Sequence, residues 1–162
     1  MDSRDNSFQP LVFGYYRLIH SGDVKIYENL DVLPRAFQVP EWAVADDAAA
    51  ALTLMHDPSF NPARQAVVTS LQSPVSSLSV SQTLSLPVSI TTYQPEHIEM
   101  TVAAAAPALL ILTDSYYPGW QATDGKTSDP PPGGCLFRGV FVPAGEHQVV
   151  MTFCTKELGT AA

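Results

Sequence analysis

Turn-forming residues alternate with short apolar runs throughout the last third of the chain. Residues 114–120 (Asp-Ser-Tyr-Tyr-Pro-Gly-Trp) follow one apolar run, and residues 143–147 (Pro-Ala-Gly-Glu-His) stand between two more. A chain that folds back repeatedly in an antiparallel sheet has this pattern. We therefore expect strands to form most of this region.

The spacing of these runs predicts a mainly β fold, an antiparallel β-sandwich or jelly-roll-like domain with one or two short N-terminal helices. Residues 108–113 read as apolar at every position, which indicates a strand covered on both faces. The predicted strands of this part of the chain are residues 86–93, 97–104, 108–115, 119–123, 136–142 and 148–154.

The N-terminal part is predicted to mix helix and strand. Residues 8–20 show near-helical apolar spacing, which predicts a short amphipathic helix. We therefore expect residues 1–22 to be a helical lead-in to the domain. Residues 24–28 alternate as a strand, and residues 35–44 are extended around Pro40, which places that strand at an edge or a bulge.

Two further segments lead into the sheet region. Asp46 or Asp47 can cap a helix over residues 48–55, which stops before Pro58. Residues 70–85 are rich in Ser and uncharged, and we expect a low-complexity loop or a pair of edge strands there.

A final hairpin is predicted around Ala144 and Gly145. In that register Cys135 faces Cys154, so a disulfide between them is one interpretation, and two half-buried thiols are the other. The same register predicts core positions at Leu136, Val140, Val142, Val149, Met151 and Phe153.

Composition limits the classes of function. The chain has 162 residues, which suits one domain, and a formal net charge of -8 with only 8 Lys and Arg, which argues against nucleic acid as a partner. The apolar run at residues 102–112 contains Pro107 and is too short to cross a bilayer. No apolar stretch of a signal peptide follows Met1, so we expect a soluble domain as the sequence is given.

Several motifs, in this order and spacing, resemble a known family. They are residues 27–29 (Tyr-Glu-Asn), 33–37 (Leu-Pro-Arg-Ala-Phe), 57–62 (Asp-Pro-Ser-Phe-Asn-Pro), 114–120, 124–126 (Asp-Gly-Lys), 136–140 (Leu-Phe-Arg-Gly-Val) and 143–147. The chain resembles, over most of its length, the C-terminal extracytoplasmic domain of YfhO-type bacterial multi-spanning membrane proteins. It departs from that pattern at residues 123–125, which are one residue short, and at residues 127–134, which carry three consecutive prolines.

The resemblance implies a setting and a set of partners. Members of the family look like membrane glycosyltransferases that use a lipid-linked sugar and act on cell-envelope polymers, with the chemistry mostly in the spanning part. This chain would then be an accessory domain on the extracytoplasmic face of a bacterial membrane. Its partners would be the transmembrane part of its own parent chain and, as an open alternative, a cell-wall or lipid-linked glycan.

Three aromatic residues, Tyr116, Tyr117 and Trp120, are candidate ligand-binding residues. They could form a platform on which a sugar ring stacks, or they could close the end of the sandwich core beside the turn at Pro118 and Gly119. Exposure of Trp120 separates the two interpretations, because a buried indole cannot stack on a ligand.

Charged residues offer weaker candidates. Asp114, Asp124 and Glu146 could supply the two carboxylates of glycoside chemistry, but turn or cap duty explains the last two. Arg35 and Arg138 each interrupt an apolar context and predict a buried ion pair, and Arg138 near Asp114 could instead contact a phosphate or an anionic sugar.

The sequence contains no recognisable metal-binding, cofactor-binding or catalytic motif. The four histidines are scattered, so no metal site, no cofactor and no catalytic residue is predicted. Two hypotheses follow: a non-catalytic accessory domain of a membrane enzyme, or a free-standing carbohydrate-binding or cell-surface module.

Overall fold

The structure is a computed structural model, and it describes residues 16–69, 88–124, 128–129 and 136–154. These residues divide into two compact units, one ending at Pro34 and the other beginning at Arg35. The predicted lead-in before residue 16, the Ser-rich segment at residues 70–85 and Cys135 lie outside the described residues.

The first unit contains a two-stranded antiparallel hairpin of β1 (Tyr16–Ser21) and β2 (Lys25–Asn29). Arg17 and Glu28 face each other across it and form a salt bridge. The prediction of helix over residues 16–20 is therefore wrong, whereas the strand predicted over residues 24–28 is confirmed. The apolar residues that suggested a helix are few, and the pairing partner in β2 satisfies their backbone groups instead.

The second unit contains all other elements. They are, in chain order, β3 (Ala36–Val39), β4 (Glu41–Val44), α1 (Ala48–Met55), β5 (Gln65–Val68), β6 (Val88–Gln94), β7 (His97–Ala104), β8 (Ala108–Ser115), β9 (Trp120–Thr123), β10 (Ser128–Asp129), β11 (Phe137–Val142) and β12 (Gly145–Phe153).

Two antiparallel sheets enclose the main core. One has five strands in the order β10-β9-β12-β7-β6, and the other has three in the order β11-β8-β3. Alternate residues of both sheets contribute to one buried cluster, as the period of two in a strand requires. The predicted mainly β, sandwich-like fold is thus confirmed. The cluster includes Ile98, Met100, Val102, Leu110, Leu112, Trp120, Val142, Val149 and Met151.

The strand β8 is buried on both faces, as its continuous apolar sequence predicted. Leu110 and Leu112 belong to the main core, and Leu109 packs in a second cluster with Val39, Trp42 and Val68. Two residues of this second cluster, Trp42 and Val68, are on β4 and β5, which form a small parallel sheet. The sequence did not predict β5, nor the short strand β10.

The connection at Ala144 and Gly145 does not form the predicted hairpin. β11 pairs with β8, whereas β12 pairs with β7 and β9, so the chain crosses from one sheet to the other at this point. Five of the six predicted core residues still pack in or against the main core, but from opposite sheets. Leu136 is the exception, because it is 51% exposed.

The helix α1 begins and ends as predicted. Asp47 is its N-cap and accepts a hydrogen bond from the backbone N–H of Ala50 at 2.8 Å. Pro40 lies between β3, at the edge of its sheet, and β4. No helix in the described parts of the chain has the length and apolar character needed to cross a membrane.

Candidate functional site

The carboxylate of Asp114 lies at one end of the sandwich. Asp114 follows Leu110 and Leu112, both of the main core, and lies where a bulge interrupts the pairing of β8 with β11 between Leu112 and Ser115. The Asp114 side chain is only 10% exposed. A carboxylate in such a position requires partners that offset its lost hydration.

Both oxygens of Asp114 have partners. Arg35 donates to Oδ1 from Nη2 at 2.8 Å and from Nε at 3.1 Å. The hydroxyl of Tyr93 donates to Oδ2 at 2.9 Å, and Nη1 of Arg138 lies 3.7 Å from the same oxygen. Because Tyr93 is on β6 and Arg138 is on β11, the carboxylate connects the two sheets.

Arg138 is the buried cation of this group. It is 8% exposed, and its Nε donates to the carbonyl oxygen of Ser115 at 3.2 Å. Burial lowers the pKa of its guanidinium, and the charge of Asp114 opposes that shift. Nη1 is buried and has no hydrogen-bond partner among the described residues. The predicted buried ion pair is therefore present between Arg138 and Asp114.

Arg35 lies on the solvent side of the same carboxylate. Its side chain is 57% exposed, and its guanidinium carbon lies 4.5 Å from the centre of the Tyr93 ring. The hydrogen bond and the charge of Asp114 raise the pKa of Arg35 above its ordinary value. Arg35 thus pairs with a carboxylate as expected, but it is not buried.

Trp120 is buried in the core beneath Arg138. It is 6% exposed, its ring centre lies 3.6 Å from the guanidinium carbon of Arg138, and the ring of Phe153 packs at 5.6 Å. A cation stacked on an indole within about 6 Å is favourable. Trp120 therefore has no face free for a sugar ring.

Tyr116 and Tyr117 differ from Trp120 in their surroundings. Tyr117 is 65% exposed, with its ring 6.1 Å from that of Phe153. Tyr116 is half-buried, and its backbone N–H donates to the carbonyl oxygen of Leu136 at 2.8 Å. The three candidate aromatics therefore do not form one platform.

One corner of the unit carries exposed apolar side chains near this cluster. Phe137 pairs with Ser115, and Leu136 bonds the backbone of Tyr116. Leu136, Phe137 and Tyr117 are 51%, 44% and 65% exposed. We call Tyr117, Leu136 and Phe137 the apolar corner.

The other carboxylates do not join Asp114 in these contacts. Asp124 Oδ2 lies 3.9 Å from Nδ1 of His147, and a ring nitrogen of His147 is 3.0 Å from the carbonyl oxygen of Pro143. Nothing in the sequence indicated that Asp124 pairs with His147. Among the described residues, no group of three or more His, Cys, Asp or Glu could hold a metal ion.

The predicted disulfide was based on a hairpin register between β11 and β12, and these two strands do not pair with each other. Cys154 is exposed, has no disulfide partner among the described residues, and its Sγ lies 3.6 Å from Oε1 of Gln121. Cys135 lies outside the described residues, and β11 and β12 belong to different sheets. The crosslink remains a prediction without a structural basis in the strand pairing.

Asp114, Arg138 and Trp120 were predicted site residues, and the structure brings them together. Tyr93, which also contacts Asp114, was not predicted. Tyr93 lies near the end of β6, and the pairing of β6 at the edge of its sheet brings its hydroxyl to Asp114.

No family model, curated protein or solved structure matches this chain. The resemblance to the YfhO-type domain therefore stays a prediction.

Proposed function

We propose that this chain is a non-catalytic accessory domain on the extracytoplasmic face of a bacterial membrane glycosyltransferase-like protein. In this proposal it packs on the transmembrane part of its own parent chain, whose enzyme acts on cell-envelope glycans. The membrane setting comes from the sequence resemblance alone. The non-catalytic role has separate support in the contacts of Asp114.

The observation that carries the proposal is the complete engagement of Asp114. Its two oxygens accept hydrogen bonds from Arg35 and Tyr93, and Arg138 lies beside it. A catalytic carboxylate must reach the proton that it moves on a substrate, and both oxygens of Asp114 are already taken up by partners within the protein. These contacts support a structural role for Asp114 as a link between the two sheets.

The apolar corner supports a role in contact with another protein surface. Tyr117, Leu136 and Phe137 are all large and exposed, and backbone pairing keeps their segments together. A group of exposed apolar residues is commonly an interaction site. We assign this corner to the contact with the spanning part of the parent chain.

Two measurements test this function. The reading frame that encodes this chain should also encode several spanning helices, and a frame without them would overturn the proposal. In the full-length protein in native membranes, a photo-crosslinking residue at Phe137 should link to a spanning segment or to a loop next to one. The same residue at Thr91, exposed on β6, is the matched control and should give no such link.

A second candidate function is a free-standing glycan-binding module, and the exposure of Tyr117 favours it. The ring of Tyr117 is 65% exposed, so a sugar face could lie on it even though Trp120 is buried. A titration of the isolated chain with a panel of cell-wall glycans tests this candidate. Saturable binding that Tyr117→Ala abolishes, and that Tyr27→Ala on the first hairpin leaves unchanged, would favour it over the accessory domain.

A further inference from the structure

A cavity of about 290 Å³ lies on the outer face of the parallel sheet of β4 and β5. The inward side chains of these two strands pack in the second cluster. Successive side chains of a strand alternate between its faces, so Glu41, Ala43, Gln65 and Val67 lie on the outer face, where they line the cavity. Pockets for drug-sized ligands measure about 300–1,000 Å³, so this cavity suits a smaller molecule.

The loop that follows α1 contributes Asp57, Ser59 and Phe60 to the wall of the cavity. Oδ1 of Asp57 accepts from the backbone N–H of Ser59 at 2.8 Å and from the Ser59 hydroxyl at 2.6 Å. The backbone N–H of Phe60 donates to the carbonyl oxygen of Asp57 at 2.9 Å. These three bonds hold the carboxylate and the aromatic ring on one tight turn.

The carboxylate of Asp57 keeps one oxygen for a ligand. Its Oδ1 is taken up by Ser59, whereas its Oδ2 has no hydrogen-bond or ion-pair partner in the part of the chain that the structure describes. The bond from the Ser59 hydroxyl, and then the bond from its N–H, lower the pKa of Asp57 below its ordinary value. An ionised oxygen of this kind accepts strong, charge-assisted hydrogen bonds.

Glu41 adds a second carboxylate to the wall, but it already has partners. Its Oε2 accepts from Nε2 of Gln65 at 3.1 Å, and its Oε1 lies 3.5 Å from Nη2 of Arg64. Arg64 offsets one of the two negative charges at the cavity. The charge that remains is that of Asp57.

Apolar side chains complete the cavity. Phe60 is half-buried and belongs to neither of the two buried clusters, so the packing of the cores does not account for its position. Leu54 at the end of α1 and Val67 of β5 lie in the same wall. A cation is attracted to the face of an aromatic ring, and an aliphatic chain packs against such side chains.

These groups together select the chemistry of the ligand. An anion would be repelled by Asp57, and a neutral alcohol would leave the charge of that carboxylate unpaired. We propose that this cavity binds a small organic cation that carries one primary ammonium on a short apolar stem. The ammonium donates to Oδ2 of Asp57 beside the ring of Phe60, and the stem packs against Leu54 and Val67. This site is independent of the proposed accessory role.

The backbone N–H of Ser59 provides a direct test, because it donates to the same carboxylate. In an amide correlation spectrum, titration with n-butylammonium should shift the Ser59 and Val67 signals in a saturable manner, with a dissociation constant of about 1 mM or tighter. The signals of Met100 and Val149, in the main core, should stay in place. n-Butanol, which has the same stem without the charge, should bind about 10-fold more weakly or worse, and butyrate should cause no shift.

Matched variants complete the experiment. Asp57→Asn should weaken the binding of n-butylammonium about 10-fold or more, because the amide keeps an acceptor for Ser59 but loses the charge. Asp23→Asn makes the same change at an exposed position of the first hairpin and should leave binding unchanged. Phe60→Ala should also weaken binding, whereas Leu52→Ala, an exposed residue on α1 that does not line the cavity, should not.

Three results would overturn the proposal. They are the absence of a saturable shift with n-butylammonium, equal affinities for n-butylammonium and n-butanol, and undiminished binding by Asp57→Asn.

Discussion

The guanidinium carbon of Arg138 lies 3.6 Å from the ring centre of Trp120, and this contact joins the two sheets at one end of the sandwich. Arg138 is on β11 of the three-stranded sheet, and Trp120 is on β9 of the five-stranded sheet. The indole covers the apolar face of the guanidinium, while Asp114 lies at its edge. The buried Arg138 is therefore held by stacking on Trp120 and by an ion pair with Asp114.

Asp114→Asn should destabilise the second unit by about 3–5 kcal/mol. The substitution keeps the shape of the side chain but leaves the buried Arg138 without its counter-charge, which is the costly way to break a buried pair. Urea unfolding followed by circular dichroism measures the change. Glu28→Gln, which breaks the exposed pair with Arg17, is the control and should cost less than about 1 kcal/mol. Equal costs for the two variants would contradict a buried pair at Asp114.

Gly119→Ala should destabilise the unit more than Gly145→Ala. Both glycines have positive φ, 112° and 125°, where an L side chain is strained. At Gly119 a Cβ would also lie 2.8 Å from a ring carbon of Phe153, whereas at Gly145 its nearest neighbour is at 3.7 Å. Thermal unfolding of the two variants measures the difference: Gly145→Ala should show the effect of backbone strain alone, and Gly119→Ala the effect of strain and a steric clash. A lower melting temperature for Gly145→Ala would contradict this account.

Asp47→Ala should destabilise the chain by about 1 kcal/mol through loss of the N-cap of α1. The neighbouring Asp46→Ala is a matched control, because it removes an equal charge from an exposed position beside the cap without removing the hydrogen bond to Ala50. The difference between the two variants in chemical denaturation isolates the cap. Equal effects would mean that charge, and not the hydrogen bond, is what Asp47 contributes.

Local patterns predicted β7, β8 and α1 well, because burial and capping impose such patterns directly on the sequence. β7 and β8 have the predicted bounds, since alternation and a continuous apolar run each mark how many faces of a strand are covered. The hairpin at Ala144 and Gly145 was wrong for a different reason. A turn with Pro and Gly reverses the chain in the same way whether the next strand pairs with the last one or crosses to the facing sheet.

The candidate site was only partly predictable, because a local sequence pattern does not show which strands lie next to each other. Arg35 and Arg138 each interrupt an apolar context, so the sequence alone shows that each needs a partner. Tyr93 carries no such signal, because a tyrosine in a strand is ordinary and its role depends on which strand lies at the edge. Likewise β5 has only four residues and pairs in parallel with β4, so no turn marks the pairing.

Tyr93→Phe should lower stability by about 1 kcal/mol near neutral pH, through loss of one hydrogen bond, and should remove an alkaline dependence of stability. The residue is 49% exposed, but partial desolvation of its hydroxyl and the hydrogen bond to Asp114 raise the pKa of Tyr93 above its ordinary value of 10.0. The unfolded chain therefore ionises first as pH rises, so the contribution of Tyr93 is complete below pH 10.0 and is lost as pH passes through the folded pKa. The hydroxyl keeps its proton in the fold because its loss would place a second negative charge beside Asp114.

Denaturant unfolding of the wild type and of Tyr93→Phe between neutral and alkaline pH measures this effect, and tyrosinate absorbance reports the ionisation directly. The difference in unfolding free energy between the two proteins should shrink as pH rises past 10.0. Tyr117→Phe removes the hydroxyl of an exposed tyrosine, whereas Tyr93 donates to Asp114; it is the control and should change the unfolding free energy at neutral pH less than Tyr93→Phe does. A difference that stays constant with pH would mean that the hydroxyl of Tyr93 is not held by Asp114 in solution.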